Sequence, residues 1–116
     1  MHEMSVVLNV VDTIDKFAEE NSIQEIRGVV MQIGLASGVI PFYFQSCWEP
    51  ASAKSKHLFG SSVNIEEIPG RCMCLDCGHV YELPDDHHAP CPACGSRNWR
   101  AIGGTDIIIK EILVEG

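Results

Sequence analysis

Four cysteines carry the clearest chemistry in this chain. The stretch "CLDCGHVYELPDDHHAPCPACG" holds Cys74-x-x-Cys77, thirteen further residues, then Cys91-x-x-Cys94. A CxxC turn presents two thiolates to one metal ion. Glycine follows each pair, as Gly78 and Gly95, and lets the backbone turn away with its amides near the sulfurs. Two such turns make a closed tetrahedral four-sulfur site, with no open position for catalysis. Zn(II) is the default occupant. The same spacing serves rubredoxin-like electron carriers, which hold iron on four cysteines, so the knuckles alone leave zinc and iron both open. "CMC" offers Cys72 beside Cys74. Only Cys74 keeps the two-residue spacing to Cys77, so the ligand set reads Cys74, Cys77, Cys91 and Cys94. Cys72 is then a spare thiol, and Cys47 a core residue.

A second candidate lies at the other end. His2 directly follows Met1. A free terminal amine and the amide nitrogen of residue 2 close a five-membered ring on a metal. That amide and the Nδ1 of His2 close a six-membered ring. The backbone nitrogen of Glu3 completes a nitrogen-rich plane, which favours Ni(II) or Cu(II). Such a site needs Met1 retained with its amine free, and a bulky second residue favours retention. Spacing alone favours a solvated terminal histidine; the metal reading gains because a helix begins at once behind it. His79, two residues after Cys77, reads at least as readily as an exposed loop residue as a metal-site neighbour, and the His87-His88 pair beside Asp85-Asp86 reads chiefly as a solvated loop, with a transient metal contact the lesser alternative.

The elements that must hold these groups follow from periodicity. From Glu3 to about Asn21, Met4, Val7, Leu8, Val11, Ile14, Phe17 and Ala18 repeat at helical spacing. Between Glu25 and Leu35 the period changes to two, with Arg27, Val29, Met31, Ile33 and Leu35 on one face. "GLASGVIP" supplies a turn. Pro41 suits the first position of a second helix, striped by Phe44, Cys47, Trp48 and Ala51 and kinked or ended by Pro50. "SSVNIEEI" reads as a second strand, and "TDIIIKEILVE" as a third. Residues 71–103 hold five of the six cysteines and little periodicity, so they need a metal staple to fold. The expected fold is α+β: two helices packed on a three-stranded sheet, with an inserted zinc-ribbon-like module of four cysteines. Residues 1–70 and the strand 104–116 form one domain, and residues 71–103 the other.

Composition narrows the function. The net charge is −8, with eight Lys and Arg scattered along the chain. That argues against nucleic acid and anionic membrane as partners. No stretch approaches the roughly 18 apolar residues of a membrane span, and the first residues read as an amphipathic helix and not as a secretory leader. The expected location is cytoplasmic, where thiols bind metal more readily than they form disulfides. No nucleophile–base pair and no phosphate loop stand out, so the chain reads as a carrier and not an enzyme.

"MHEMSVV" at the start, "VVMQIGLASGVIPFYF" after the first helix, the CxxC-x13-CPxCG run and the final "IIIKEILVE" resemble the HypA/HybF family of hydrogenase-maturation nickel metallochaperones. The resemblance covers essentially the whole chain. It implies nickel as transient cargo on the amine of Met1, on His2 and on the backbone nitrogens of His2 and Glu3. It implies structural zinc on the four cysteines. It implies work with a HypB-like GTPase and delivery to a [NiFe]-hydrogenase large subunit, in some relatives also to urease, by a monomer or homodimer. Some relatives carry histidine beside both knuckles, coupling zinc geometry to acidity. Here Gly95 and Ser96 follow Cys94, so the second histidine is missing. A rubredoxin-like electron carrier and a zinc-ribbon protein-interaction module are the alternative functions.

Overall fold

The computed structural model describes residues 3–83 and 90–114. Helix α1, Glu3–Glu20, buries Val7, Val10, Val11, Ile14 and Ala18. The buried stripe is rotated from the one periodicity suggests. Val10 lies inside, while Leu8 and Phe17 are about half exposed. Seven apolar positions make a stripe wider than the surface available to cover it. Asn21 and Ser22 end the helix as expected. Ser22 takes φ 56°, and the N–H of Ile23 reaches back to the Ala18 carbonyl at 2.9 Å. That is a left-handed cap without the usual glycine.

Strand β1, Ile26–Gly34, is the centre of the first sheet. Ile26, Val29, Met31 and Ile33 are fully buried. Arg27, expected on that face, is exposed. The ladder slips between Ile26 and Gly28, and this bulge changes the facing of the residues before it. Helix α2, Pro41–Ser52, starts with Pro41 in its first turn and ends two residues after Pro50. Phe44 and Trp48 are buried and stack with centroids 6.2 Å apart. The Trp48 indole N–H donates to Ser61 Oγ at 3.1 Å. Strand β2, Ser62–Ile68, pairs parallel to β1, as a strand–helix–strand connection allows.

Residues 71–103 are more regular than their sequence suggests. Strands β3 (Arg71–Cys74), β4 (Val80–Glu82) and β5 (Trp99–Gly103) form a second sheet in the order β4-β3-β5. None exceeds five residues, too short for periodicity to register. Strand β6, Ile107–Val114, then returns antiparallel to β1 and completes the order β2-β1-β6.

The chain leaves and re-enters the first sheet at one place. The Gly34 N–H donates to the Asp106 carbonyl at 2.9 Å, and the Ala36 N–H to the Gly104 carbonyl at 2.8 Å. A Cβ on Gly34 would fall inside the Gly104 backbone, and one on Gly104 inside the Pro69 carbonyl. The molecule measures 54 × 23 × 17 Å with a radius of gyration of 17.3 Å. A compact chain of this length would have about 13 Å, so the protein is markedly elongated.

Candidate metal centre

Two turns build the thiol cluster on one plan. After Cys74, the Gly78 N–H donates to the Cys74 carbonyl at 2.9 Å, and the Cys74 N–H to the His79 carbonyl at 2.9 Å. After Cys91, the Gly95 N–H donates to the Cys91 carbonyl at 2.8 Å, and the Cys91 N–H to the Ser96 carbonyl at 2.8 Å. Gly78 and Gly95 sit at φ 79° and 76°, which other residues adopt only with strain. Each turn therefore closes on itself and aims two thiols to one side. The turns are tied together by Ser96 Oγ, which donates to the Asp76 carboxylate, and by the Leu75 N–H, which donates to the Asn98 carbonyl at 2.8 Å.

The four sulfurs of Cys74, Cys77, Cys91 and Cys94 all lie within 4.8 Å of one another. Cys74 and Cys94 are 3.6 Å apart, and Cys77 and Cys91 3.7 Å. A tetrahedron with metal–sulfur bonds of about 2.3 Å has edges of about 3.8 Å. The donor set thus fits a thiolate-bound metal. Backbone N–H groups already point at the sulfurs. The Ala93 N–H donates to Cys91 Sγ at 3.4 Å, and the N–H groups of His79 and of Ser96 favour the thiolates of Cys77 and Cys94.

Electrostatics gives the reason such a cluster wants a cation. Burial opposes the Cys74 thiolate. The N–H groups of Cys77 and Asp76 and the neighbouring thiols outweigh it and hold Cys74 at about 7. The Ser96 N–H favours a Cys94 thiolate, but hydrogen bonding with Cys74 and Cys77, together with burial, pushes Cys94 up to about 12. Cys77 is raised too: the His79 N–H is outweighed by burial and by Cys74 and Cys91. The thiolate is thus favoured at Cys74 and opposed at Cys77 and Cys94, and a dication would offset that crowding of negative charge.

Cys72 stands apart. It lies two residues before Cys74 on the same buried face of β3 and donates to the Tyr81 carbonyl at 3.6 Å. That separation, about 6.6 Å along a strand, leaves it behind the cluster as a packing group. Cys47 is half-buried against the main core. His79 supplies its backbone to the first turn, and its ring stacks on Tyr81 at 5.9 Å. Met1, His2, His87 and His88 lie outside the described residues. Glu3 is the first residue of α1. Spacing does not single out Ser96 and Asp76, which hold the two turns together. Neither belongs to a recognisable motif, so only their contact identifies them.

Fold and thiols together define a small α+β protein with a four-cysteine cluster that could hold a metal ion. A family model described as "Hydrogenase/urease nickel incorporation, metallochaperone, hypA" matches residues 1–114. The chain belongs to this HypA family. The hydrogenase maturation factor HypA of Geobacter sulfurreducens is 37% identical over 99% of this chain and 100% of its own length. The protein of the same name from Geobacter metallireducens is 36% identical with the same coverage. The solution structure of the Ni metallochaperone HypA from Helicobacter pylori superposes with a TM-score of 0.68 at 25% identity, covering 98% of this chain and 97% of that one.

Proposed function

We propose that this protein is a nickel metallochaperone that holds Ni(II) at its N-terminus and hands it on for assembly of a [NiFe]-hydrogenase large subunit, with a HypB-like GTPase as co-worker and urease as a second destination. The family match across residues 1–114 carries this reading. The nickel donors are the amine of Met1, the amide and Nδ1 of His2 and the backbone nitrogen of Glu3. Helix α1 begins at Glu3, which tethers this short segment to a rigid element. No helix among the described residues is long and apolar enough to cross a membrane, which is compatible with work in the cytoplasm.

The chain divides its labour between residues 1–70 with 104–116, which carry nickel, and residues 71–103, which carry zinc. Cys74, Cys77, Cys91 and Cys94 would hold the zinc. Bound there, the ion supplies charge neutralisation and a covalent staple to a unit with little apolar core. All four positions are taken by protein sulfur, so the site is structural.

Nickel titration by calorimetry tests the reading. Tag-free protein should bind one Ni(II), while His2→Ala, and protein with one extra residue ahead of Met1, should bind it at least tenfold more weakly. Equal affinity in all three would sink the N-terminal site. Metal analysis and a visible spectrum address the second centre. A colourless protein with one zinc supports a staple, whereas an absorbing iron centre would favour the rubredoxin-like carrier.

A further inference from the structure

We propose that the open face of the second sheet, marked by Arg71 and Arg100, is a docking surface for an extended segment of a partner protein that carries two carboxylates two residues apart with apolar residues beside them. The ladder decides which side chains share that face. Arg71 and Met73 alternate on β3 with Cys72 and Cys74. Met73 lies opposite Arg100 of β5 and Val80 of β4, and Arg71 opposite Gly103 and Glu82. Directly opposed residues point to the same side, so one face collects Arg71, Met73, Val80, Glu82 and Arg100. The other collects Cys72, Cys74, Tyr81, Trp99 and Ala101. That second face is covered: Cys72 and Cys74 are buried, and the other three are half-buried. The first is open, with Arg71, Val80, Glu82 and Arg100 all exposed. Ile102, 46% exposed where the ladder slips, widens it.

The chain holds 16 acidic residues against eight basic ones, so carboxylates outnumber cations two to one. Lys16, Lys56 and Lys110 lie within 3.1 Å of Asp12, Glu19 and Glu66. Arg71 and Arg100 have no ion pair or hydrogen-bonded partner among the described residues. Glu82 stands opposite Arg71 in the ladder without pairing with it. Arg71 is also held in place. Its Cβ, Cγ and Cδ lie 3.4, 3.7 and 3.8 Å from where a side chain on Gly103 would begin, so its stem runs across that glycine. The stem is packed and the guanidinium is carried at the surface, which lowers the cost of fixing it on a ligand.

Charge and spacing select the occupant. Arg71 and Arg100 sit diagonally across the β3–β5 pair, about 7–8 Å apart at Cα. Carboxylates at alternate positions of an extended segment point the same way about 6.6 Å apart. Each can take one guanidinium in the two-pronged manner arginine favours. Met73 and Ile102 supply apolar cover for the residues flanking that pair. Glu82 is the like charge on this face and stands on the β4 side of Arg71, so the segment lies over β3 and β5. A nucleic acid fits less well. Tyr81 and Trp99 are on the covered face, which leaves no platform for bases, and the net charge of −8 opposes a long polyanion. A short segment with two carboxylates meets the local arginines first, because charges farther off than about 8–10 Å are screened.

The experiment uses the metal-loaded full chain and fluorescence anisotropy of a capped, labelled peptide, Leu-Ser-Glu-Ser-Glu-Ser-Leu. Wild type should bind it with a dissociation constant below about 1 mM at low salt. Arg71→Glu and Arg100→Glu should each weaken binding about tenfold, and Glu82→Gln should tighten it about twofold. The doubly substituted protein, Arg71→Glu with Arg100→Glu, should instead bind the peptide that has lysine in place of glutamate. Misfolding does not produce that gain. Wild type that fails to bind the acidic peptide at about 1 mM overturns the proposal. So does equal binding of that peptide by the doubly substituted protein. Tighter binding of a single-stranded DNA of about seven nucleotides also overturns it, since that marks a general anion surface.

Discussion

His57 and Glu19 form a buried-to-surface ion pair that fastens the loop after α2 to the end of α1. His57 Nε2 lies 3.0 Å from Glu19 Oε1, while Nδ1 lies 2.9 Å from the Gln24 carbonyl. Both ring nitrogens face acceptors, and only imidazolium can donate at both. The ring is 5% exposed. Asp15 supports the same loop, accepting from Ser55 Oγ at 2.7 Å and from the His57 N–H at 3.3 Å. Lys56 reaches Glu19 at 2.8 Å.

A pH dependence of stability follows from that pair. The Gln24 carbonyl and the Glu19 carboxylate hold the His57 imidazolium above its ordinary 6.5. Its contribution is complete below 6.5 and is lost as pH rises through the raised value. Hydrogen bonds from Lys56 and His57 hold Glu19 below 4.5. Its contribution is complete above 4.5 and is lost as pH falls through the lowered value. Between 4.5 and 6.5 both operate. The thermal midpoint should therefore fall on the alkaline side, and His57→Gln should flatten that limb. A wild-type midpoint that rises from about pH 6 to about pH 8.5 would contradict this.

Removing one thiol should separate Cys91 from Cys72. Cys91→Ala takes away one of the four donors, and the zinc content should drop from one to near zero with rapid proteolysis within 71–103. Cys72→Ala removes only a buried packing group. It should keep full zinc and lose about 1 kcal/mol of stability. Metal analysis and limited proteolysis of the two variants, side by side, check both outcomes.

The crossing of Gly34 and Gly104 should not tolerate a methyl group. Gly34→Ala would drive Cβ into the Gly104 backbone, and backbone cannot move aside as a side chain can. The expected cost is about 3 kcal/mol or more. Denaturant unfolding measures it. Gly38→Ala and Gly60→Ala are useful contrasts, since both positions have open space and only positive φ to oppose them.

Ser22 offers the reverse case. It holds φ 56° at the end of α1, a left-handed conformation that glycine adopts without strain. Ser22→Gly should raise stability by about 0.5 kcal/mol, the relief of left-handed strain less the added freedom of the unfolded chain. Thermal unfolding at one fixed metal loading detects the shift.

Period and spacing were enough to specify the two helices, the three long strands and the thiol set, because local chain geometry imposes both before any packing occurs. Cys74 was preferred over Cys72 because only it repeats the two-residue spacing of Cys91 and Cys94; the turn at Gly78 then sets its sulfur in the cluster. The short strands β3, β4 and β5 were not legible. Strands of three to five residues carry too few alternations to stand out, and their pairing is enforced by the turns at Gly78 and Gly95. Which flank of α1 lies inside was likewise left to tertiary packing, which buries Val10 and leaves Leu8 and Phe17 at the surface. Packing between strands placed Arg27 outside and set Ile109 and Ile112 on one face of β6. Both outcomes depend on bulges, where one extra residue against a neighbouring strand reverses the facing of everything beyond it. No single strand records that in its own residues.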